Sequence, residues 1–329
     1  MIGRPNKEAT PATGRSAEVG APGGGAGAAS GRRGKSSPLQ RRETIAAYLF
    51  LSPAIVLFLV FLAGPLLGAI AISFFRWDLL TTAEFVGFEN YAQLLSDAEA
   101  LRAVWNTFVF TFWSMVLHIG IGLLLALAVT RAMPAGLMYF LRAAYFFPLL
   151  ISWAAVAIMW RYILDPNFGF LNYYLDRFGL PTTEWLISER WAMPAIILVD
   201  LWRTLGFTFI ILLAGLQGIP KQLYEAAMID GAGPFRKFWS VTIPLLSPTL
   251  LFAGVITFIG AFQIFEPMFI MTQGGPGDET LSIVMHIYET GFRSFQMGYA
   301  SVLALVVFLV VMVVTLVQLW LSRYWVHYD

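Results

Sequence analysis

The stretch Glu225-Ala226-Ala227-Met228-Ile229-Asp230-Gly231-Ala232 is a polar, glycine-broken segment in an otherwise strongly apolar chain. It continues through Phe238 to Ile243-Pro244 and lies between two charge-sparse segments. Both neighbours approach the length of about 20 apolar residues that a helix needs to cross a bilayer. A short loop between two membrane spans has no need of this composition. We therefore interpret it as a surface offered to another protein.

The composition of the whole chain excludes an ordinary soluble domain. Of its 329 residues, 58% are hydrophobic and only 12% are charged, unlike a globular protein. Runs without any Asp, Glu, Lys or Arg recur along the chain. The predicted fold class is an all-α polytopic membrane protein with six transmembrane helices. The predicted spans are about 47–74, 104–130, 143–163, 193–218, 246–272 and 299–322, the fourth of which tolerates Asp200 and Arg203.

Residues 1–43 differ in composition from the rest, being rich in Gly, Ala, Pro, Ser and Arg. Such a segment lacks the apolar area that offsets chain entropy. We predict a disordered cytoplasmic tail over 1–43 and a six-helix transmembrane domain over 44–329.

The distribution of Lys and Arg predicts the orientation. With the N-terminus inside, the inner segments hold 14 of the 21 basic residues and the outer segments six, while Arg203 lies within a span. Acidic residues show the opposite distribution, with six inside and twelve outside. Because an even number of spans keeps both termini on one side, cytoplasmic N- and C-termini are predicted.

Several kinds of chemistry are excluded. The chain has no cysteine, so it contains no disulfide, thiolate nucleophile or cysteine-based metal site. His118, His286 and His327 do not occur at ligand spacing and are interpreted as unrelated interfacial residues. Asp200 and Glu266 are the only carboxylates within predicted spans. An intramembrane enzyme needs a nucleophile with a base, paired carboxylates or a metal cluster, so no catalytic residue and no metal site are predicted.

The polar segment predicts two short amphipathic helices at an angle. The first helix starts near Pro220, because proline suits the first turn of a helix. It ends at Gly231, because glycine is common just past the end of a helix. The second starts at Pro234, and Pro244 marks the start of the fifth span. The two helices together are called here the knob, and two interpretations of it remain open: it docks on a protein, or it rests on lipid.

Each helix of the knob has residues that share one face, which are Leu223, Ala226 and Ala227 on the first helix and Phe235, Phe238 and Trp239 on the second. Glu225 and Asp230 supply hydrogen-bond acceptors for cations of a partner.

The run Glu225-Ala226-Ala227-x-x-Asp230-Gly231-Ala232, with Phe238 and Ile243-Pro244 following, resembles the EAA loop of ABC importer permeases. It closely resembles the sugar-type subfamily, which includes maltose, multiple-sugar and glycerol-phosphate permeases. The resemblance covers roughly residues 45–325. Further stretches that match the subfamily in order are Phe85–Tyr91, Asp165–Asn172, Met271–Pro276, Tyr288 with Phe292, and Gly298–Ser301.

This resemblance implies a transport subunit of the bacterial inner membrane without enzymatic activity. Its expected partners are a second homologous permease, an ABC ATPase dimer, an extracytoplasmic solute-binding protein and membrane lipid, but no nucleic acid. No cofactor is expected in this chain, because the ATPase binds ATP and Mg. Some members carry a large folded insert in an outer loop, which this chain lacks.

The resemblance also assigns roles within the EAA loop. Glu225 would meet a basic residue of the ATPase, Ala226 and Ala227 would permit close packing, and Gly231 would set the bend. The expected coupling set is Glu225, Ala226, Ala227, Asp230, Gly231, Phe238 and Pro244.

Four polar residues in the spans are candidates for the substrate path. Asp200 and Arg203 can pair on one helix face at i, i+3. They either line the path, where the carboxylate accepts sugar hydroxyls, or form a structural pair near the outer end. Gln263 and Glu266, one turn apart in the fifth span, are the better candidates for substrate contacts.

The predicted function is that of an ABC importer permease for a carbohydrate, with a di- or oligosaccharide preferred. The alternative solute is glycerol-3-phosphate or a glycerophosphodiester. A phosphate favours a positive charge in the path, and only Arg203 qualifies. A stand-alone carrier and an intramembrane enzyme are the remote alternatives.

Overall fold

The computed structural model describes residues 38–130 and 134–327. Most of the predicted tail over 1–43 therefore lies outside the described residues. Its last part differs from the prediction, since the first helix already begins at Pro38. The chain divides into two units, residues 1–57 and 58–329, and the described part of the first unit is helical.

Helices dominate the described part of the chain, because a backbone in lipid has to pair its N–H and C=O groups internally. Two short strands, β1 (Phe75–Arg76) and β2 (Glu84–Phe85), form an antiparallel pair. The α-helices are α1 (Pro38–Phe58), α2 (Gly64–Ile72), α3 (Glu89–Ser96), α4 (Ala98–Thr130), α5 (Ala135–Phe146), α6 (Trp153–Ile163), α7 (Phe170–Arg177), α8 (Ala192–Gly218), α9 (Lys221–Ile229), α10 (Pro234–Lys237), α11 (Ile243–Phe262), α12 (Ile283–Tyr288) and α13 (Met297–Trp325).

Five helical segments of the described chain are long and apolar enough to cross a membrane, and there are six if one bent pair counts as a span. π-helical turns continue some of these segments, such as the turn at Leu59–Ala63 between α1 and α2. The five segments are Arg42–Ile72, Ala98–Thr130, Ala192–Gly218, Pro234–Phe262 and Met297–Trp325, and the bent pair is Gly136–Leu150 with Trp153–Ile163.

The third predicted span, 143–163, does not form one straight helix. A 3-10 turn at Phe147–Leu150 follows α5, and the chain bends by 100° before α6. Pro148 has no N–H with which to continue the helical ladder. Ser152 then caps α6 by accepting a backbone N–H with its hydroxyl. The bend interrupts a run that is apolar throughout, so hydropathy does not reveal it.

The fifth span also departs from its predicted bounds of 246–272. The helix is continuous from Pro234 to Phe262, so the expected second short helix is the first turn of the span. A π-helical turn at Phe238–Thr242 precedes Pro244. In an α-helix the proline ring clashes with the carbonyl four residues earlier, and the wider turn gives it room. Beyond Phe262 the chain breaks and resumes as a π-helical turn at Met268–Thr272.

The centre of the second unit is formed by α4, α8 and α11, which pack on one another. Each contributes a fully buried phenylalanine, namely Phe110, Phe209 and Phe262. The last span, α13, packs on α2 and α11. Its other face remains apolar and exposed, as at Leu316. An exposed apolar surface of this extent is unfavourable in water and is the lipid-facing surface of a membrane protein.

The Phe85–Tyr91 stretch is held against the end of α2 by a buried amide. Asn90 donates to the carbonyl oxygens of Ser73 at 2.8 Å and Phe75 at 3.0 Å. Tyr91 adds a hydrogen bond of 2.7 Å between its hydroxyl and that of Ser73. These contacts connect α3 to the end of the first span.

Candidate functional site

The EAA loop contains a bend between α9 and α10 that is held by backbone hydrogen bonds. After α9, Gly231 adopts φ +75°, a left-handed conformation that costs other residues about 1–2 kcal/mol. The N–H of Ala232 donates to the carbonyl of Ala227 at 2.8 Å, and the N–H of Gly231 donates to Met228 at 3.0 Å. This pair of bonds is the Schellman motif. It pairs carbonyl groups that would otherwise lack a partner at the helix end and sets the direction in which the chain leaves.

The loop exposes apolar side chains next to a carboxylate. Ile229 is 87% exposed and Phe235 is 78% exposed. Glu225, Ala226 and Asp230 are exposed as well. Clustered exposed apolar residues with a polar rim are typical of a surface that contacts a protein or a membrane. Of the predicted coupling residues, Glu225, Ala226 and Asp230 are placed where a partner can reach them.

Two hydroxyls fasten the loop to the start of the fifth span. The Tyr224 and Thr242 hydroxyl oxygens lie 3.0 Å apart, and Thr242 is buried. Phe238 is only half-exposed. Together with Lys221 and Lys237 it lines a cavity of about 760 Å³ between the loop and the ends of the neighbouring spans. Phe238 thus contributes to the support of the loop more than to its outer surface.

A second polar site lies between α4 and α8, within the membrane spans. The Ser114 hydroxyl donates to Asp200 Oδ2 at 2.6 Å. His118 Nε2 lies 2.6 Å from Thr204 Oγ1 and 3.9 Å from Asp200 Oδ2. His118 and Asp200 are both buried. The interpretation of His118 as an unrelated interfacial residue is therefore wrong.

The predicted pairing of Asp200 with Arg203 is not formed in the structure. Arg203 instead donates to the carbonyl of Ile151, from Nε at 3.2 Å and from Nη2 at 3.0 Å. Its guanidinium also lies 4.4 Å from the centre of the Trp153 ring, a cation–π contact. The carbonyl is available because the chain bends between α5 and α6. At longer range the carboxylates of Asp200 and Glu266 attract the guanidinium.

The polar cluster borders a cavity of about 220 Å³. Hydroxyl groups and aromatic rings share its wall. Gln263 and Glu266 are exposed and sit at the break that follows α11, so the structure does not bring them together with Asp200 in this cavity. Residues that border the cavity include Ser114, His118, Trp153, Thr204, Phe207 and Thr257.

The sequence prediction omits Ser114, Thr204 and Trp153. Ser114 and His118 are four residues apart and therefore share one face of the second span. Two polar side chains on one face of a membrane helix indicate a polar partner on a neighbouring helix. That signal was present in the sequence, whereas the identity of the partner, Asp200, depends on how the helices pack.

A third group of polar residues joins α12 to the starts of α4 and α13. The buried His286 ring has Nε2 3.6 Å from Asp97 Oδ2 and Nδ1 3.6 Å from Glu99 Oε1. The Tyr299 hydroxyl donates to Asp97 Oδ2 at 2.6 Å. Burial raises the pKa of Asp97, but hydrogen bonds from Tyr299 and the Ala100 N–H, with the charge of His286, outweigh it and lower the pKa. His286 thus lies in a cluster with Asp97 and Glu99, contrary to its interpretation as an unrelated interfacial residue. Within the described residues no group of three or more His, Asp or Glu side chains could hold a metal ion.

Comparison with known proteins identifies the family. Residues 118–326 match the family described as the binding-protein-dependent transport system inner membrane component. The chain belongs to this family. It is a permease subunit of an ABC importer, as the EAA loop resemblance implies.

Relatives along most of the chain agree with this assignment. The sulfoquinovosyl glycerol transport system permease protein of Agrobacterium fabrum is 34% identical, over 85% of this chain and 91% of that protein. The sn-glycerol-3-phosphate transport system permease protein of Brucella abortus is also 34% identical, over 87% of this chain and 97% of that protein.

A solved structure supports the fold. A chain of a bacterial alginate ABC transporter, crystallised in complex with an alginate pentasaccharide-bound periplasmic protein, matches with a TM-score of 0.76 and 25% identity. The match covers 86% of this chain and 96% of that chain. The predicted fold class, an all-α ABC importer transmembrane domain, is confirmed.

Proposed function

We propose that this chain forms half of the translocation path for a carbohydrate and that its EAA loop transmits the motion of an ABC ATPase dimer. The observation that carries this proposal is the loop itself. Its bend is fixed by the Schellman motif at Gly231, and its outer surface presents exposed Ile229 and Phe235. A rigid, exposed knob at the end of two spans moves as one body when its partner moves.

The proposed mechanism is alternating access. ATP and Mg bind to the ATPase subunits, whose closure shifts the knob and with it the ends of α8 and α11. A packed helix bundle responds by switching between discrete arrangements instead of deforming continuously. Within the knob, Glu225 pairs with a basic ATPase residue, while Ala226 and Ala227 allow close approach.

The proposed orientation in the membrane rests on the distribution of Lys and Arg, and the proposed partner proteins rest on the similar transporters. The excess of Lys and Arg in the inner segments supports cytoplasmic N- and C-termini. The alginate transporter was crystallised with a periplasmic protein, which supports a solute-binding protein on the outer side here. A second, homologous permease completes the path.

Two observations favour a neutral carbohydrate as the solute. The cavity beside Asp200 combines hydroxyls with the rings of Trp153 and Phe207, groups suited to sugar hydroxyls and sugar ring faces. Arg203, the cation that a phosphate would require, already donates to Ile151 and stacks on Trp153. The volume of about 220 Å³ is below the roughly 300–1,000 Å³ of complete small-molecule sites. We expect the second permease to supply the remaining wall.

Co-purification tests the proposed assembly. A tagged copy of the chain should bring down an ATPase and a second permease, and uptake into vesicles should require all of them with ATP. Transport by the chain alone would contradict the proposal and support a stand-alone carrier.

A thermal-shift screen of the associated binding protein tests the solute. Oligosaccharides should raise its melting temperature. Stabilisation by glycerol-3-phosphate and by no sugar would establish the alternative substrate class.

A further inference from the structure

The short helix α7, which follows the bent pair, presents an exposed aromatic face. Phe170, Tyr173, Tyr174 and Phe178 lie at positions i, i+3, i+4 and i+8, and they are 64%, 59%, 41% and 75% exposed. Their rings lie against one another, with centroid distances of 4.7 Å between Phe170 and Tyr174 and 5.3 Å between Tyr173 and Tyr174. The four rings therefore form one surface, called here the aromatic face.

The opposite side of α7 is fastened to the protein, so the aromatic face has a defined direction. Leu171 packs against a buried apolar cluster. The buried Asn172 side chain donates to the carbonyl of Thr183 at 2.9 Å and accepts from Trp185 Nε1 at 2.9 Å. Gly179, at φ +69°, ends the helix in a left-handed turn. Outward presentation of the rings is thus imposed by packing and hydrogen bonds on the other side.

The aromatic face continues the exposed surface of a membrane helix. On α6, Ile158 is 50% exposed and Tyr162 is 63% exposed. The Tyr162 ring lies 6.3 Å from that of Phe168, which precedes α7 by two residues. Since α6 ends at Ile163 and α7 begins at Phe170, only a short connection separates α7 from this membrane helix. The apolar surface of the span therefore runs into the aromatic face.

One cation lies within this face. Arg177 is three residues after Tyr174 and four after Tyr173, so it lies on the same face of the helix as these two residues. It is exposed, and its guanidinium makes no hydrogen bond or ion pair with another residue of the described chain. Arginine binds phosphate oxygens through its planar fork of donors. Aromatic rings with a basic residue among them are typical of helices at the membrane interface.

We propose that α7 lies in the headgroup region of the bilayer, with its aromatic face in lipid and Arg177 bound to a lipid phosphate. The helix thereby holds the loop between α6 and α8 at the membrane surface. Because α8 crosses the membrane between the two, this surface is on the side opposite the EAA loop. Continuity with α6 favours lipid over a protein partner as the occupant.

Spin labelling tests the proposal directly. The chain has no cysteine, so each introduced cysteine is the only label site in this subunit once the partner subunits have been made cysteine-free. Tyr173→Cys and Phe178→Cys place nitroxides on the aromatic face. Glu184→Cys, in the same loop, provides a water-facing control, and Leu316→Cys on α13 provides a reference in the hydrocarbon. The full transporter is reconstituted in phosphatidylethanolamine and phosphatidylglycerol vesicles. Collision with oxygen and with the water-soluble nickel complex NiEDDA is then measured.

The proposal predicts that the ratio of oxygen to NiEDDA collision at Tyr173 and Phe178 is several-fold higher than at Glu184 and lies between the values for Glu184 and Leu316. A ratio equal to that at Glu184 would overturn it, because the face would then be in water. Protection from both reagents would overturn it in favour of a protein contact. The Arg177→Gln variant should shift the label at Tyr173 toward water, and an unchanged ratio would remove the phosphate contact from the proposal.

Discussion

Single buried polar side chains distinguish this permease from a simple bundle of apolar helices. Asp200, Ser114 and His118 connect the second and fourth spans through contacts of 2.6 Å and 3.9 Å. Ionisable residues are costly within a membrane and persist where partners satisfy them. The cluster therefore fixes the relative rotation of two central helices, and it also borders the cavity proposed to accept the solute.

Replacement of Asp200 tests the structural part of this role. Asp200→Ala leaves the Ser114 hydroxyl and the His118 ring buried without their carboxylate. We expect a destabilisation of about 1–3 kcal/mol, the range for a buried polar group that loses its partner. The melting temperature of the purified transporter reports it. Glu184→Ala, an exposed carboxylate in an outer loop, is the matched control, and equal melting of both variants would contradict the proposed packing role.

Glu266 tests the substrate path. It is exposed at the break after α11, so a solute that enters from outside can reach it. We expect Glu266→Ala to lower binding-protein-stimulated uptake roughly tenfold, as a loss of about 1.4 kcal/mol produces. Assembly should be unaffected. Glu184→Ala, an exposed carboxylate in another loop, should leave uptake unchanged, and unchanged uptake kinetics in Glu266→Ala as well would remove Glu266 from the path.

At the scale of the helices, the positions where a helix bends or widens determine which groups contact each other. The bend before Trp153 provides the carbonyl that Arg203 binds. The π-helical turn before Pro244 continues the helix from α10 into α11. In the proposed mechanism, a displacement of the loop is passed to α11 through this continuous helix.

The bend at Gly231 carries the coupling prediction. Gly231→Pro imposes φ near −65° where +75° is needed and removes the N–H that donates to Met228. We expect ATP-driven uptake to be abolished while the spans still insert. Gly233→Ala is the control, because Gly233 has φ −69° and tolerates a side chain. Normal uptake in Gly231→Pro, measured with ATP hydrolysis in vesicles, would contradict the coupling role.

The Asp97 cluster, which joins α12 to the starts of α4 and α13, predicts a dependence of stability on pH. The pKa of Asp97 is lowered from 3.8 in the folded protein, so its contribution is present above about pH 4 and is lost as the pH falls through the folded pKa. Tyr299→Phe removes one of the bonds that lower this pKa. The melting temperature of the wild type should therefore fall more steeply below pH 4 than that of the variant. Parallel curves would show that the hydrogen bond does not stabilise the carboxylate.

At the scale of the whole molecule, the family and most of the architecture could be predicted from the sequence. The EAA loop depends on local spacing, and the apolar runs mark the spans whatever their packing. The bend at Pro148 could not be located from hydropathy, since the residues on both sides are apolar. The partners of Asp200 and Arg203 come from other helices. The i, i+3 spacing in the sequence suggests that Asp200 and Arg203 pair with each other. In the structure, Asp200 instead accepts a hydrogen bond from Ser114 on α4, and Arg203 donates to the carbonyl of Ile151 in the broken third span.

Cross-linking from the EAA loop is the most direct test of the central claim, that this loop docks on an ATPase. A photo-crosslinker attached to Ile229→Cys, in an assembled and transporting complex, is predicted to join the permease to the ATPase subunit. The same reagent at Tyr173→Cys, on the opposite side of the membrane, is predicted to yield no such product. Absence of an ATPase adduct from Ile229, or equal adducts from both positions, would contradict the account.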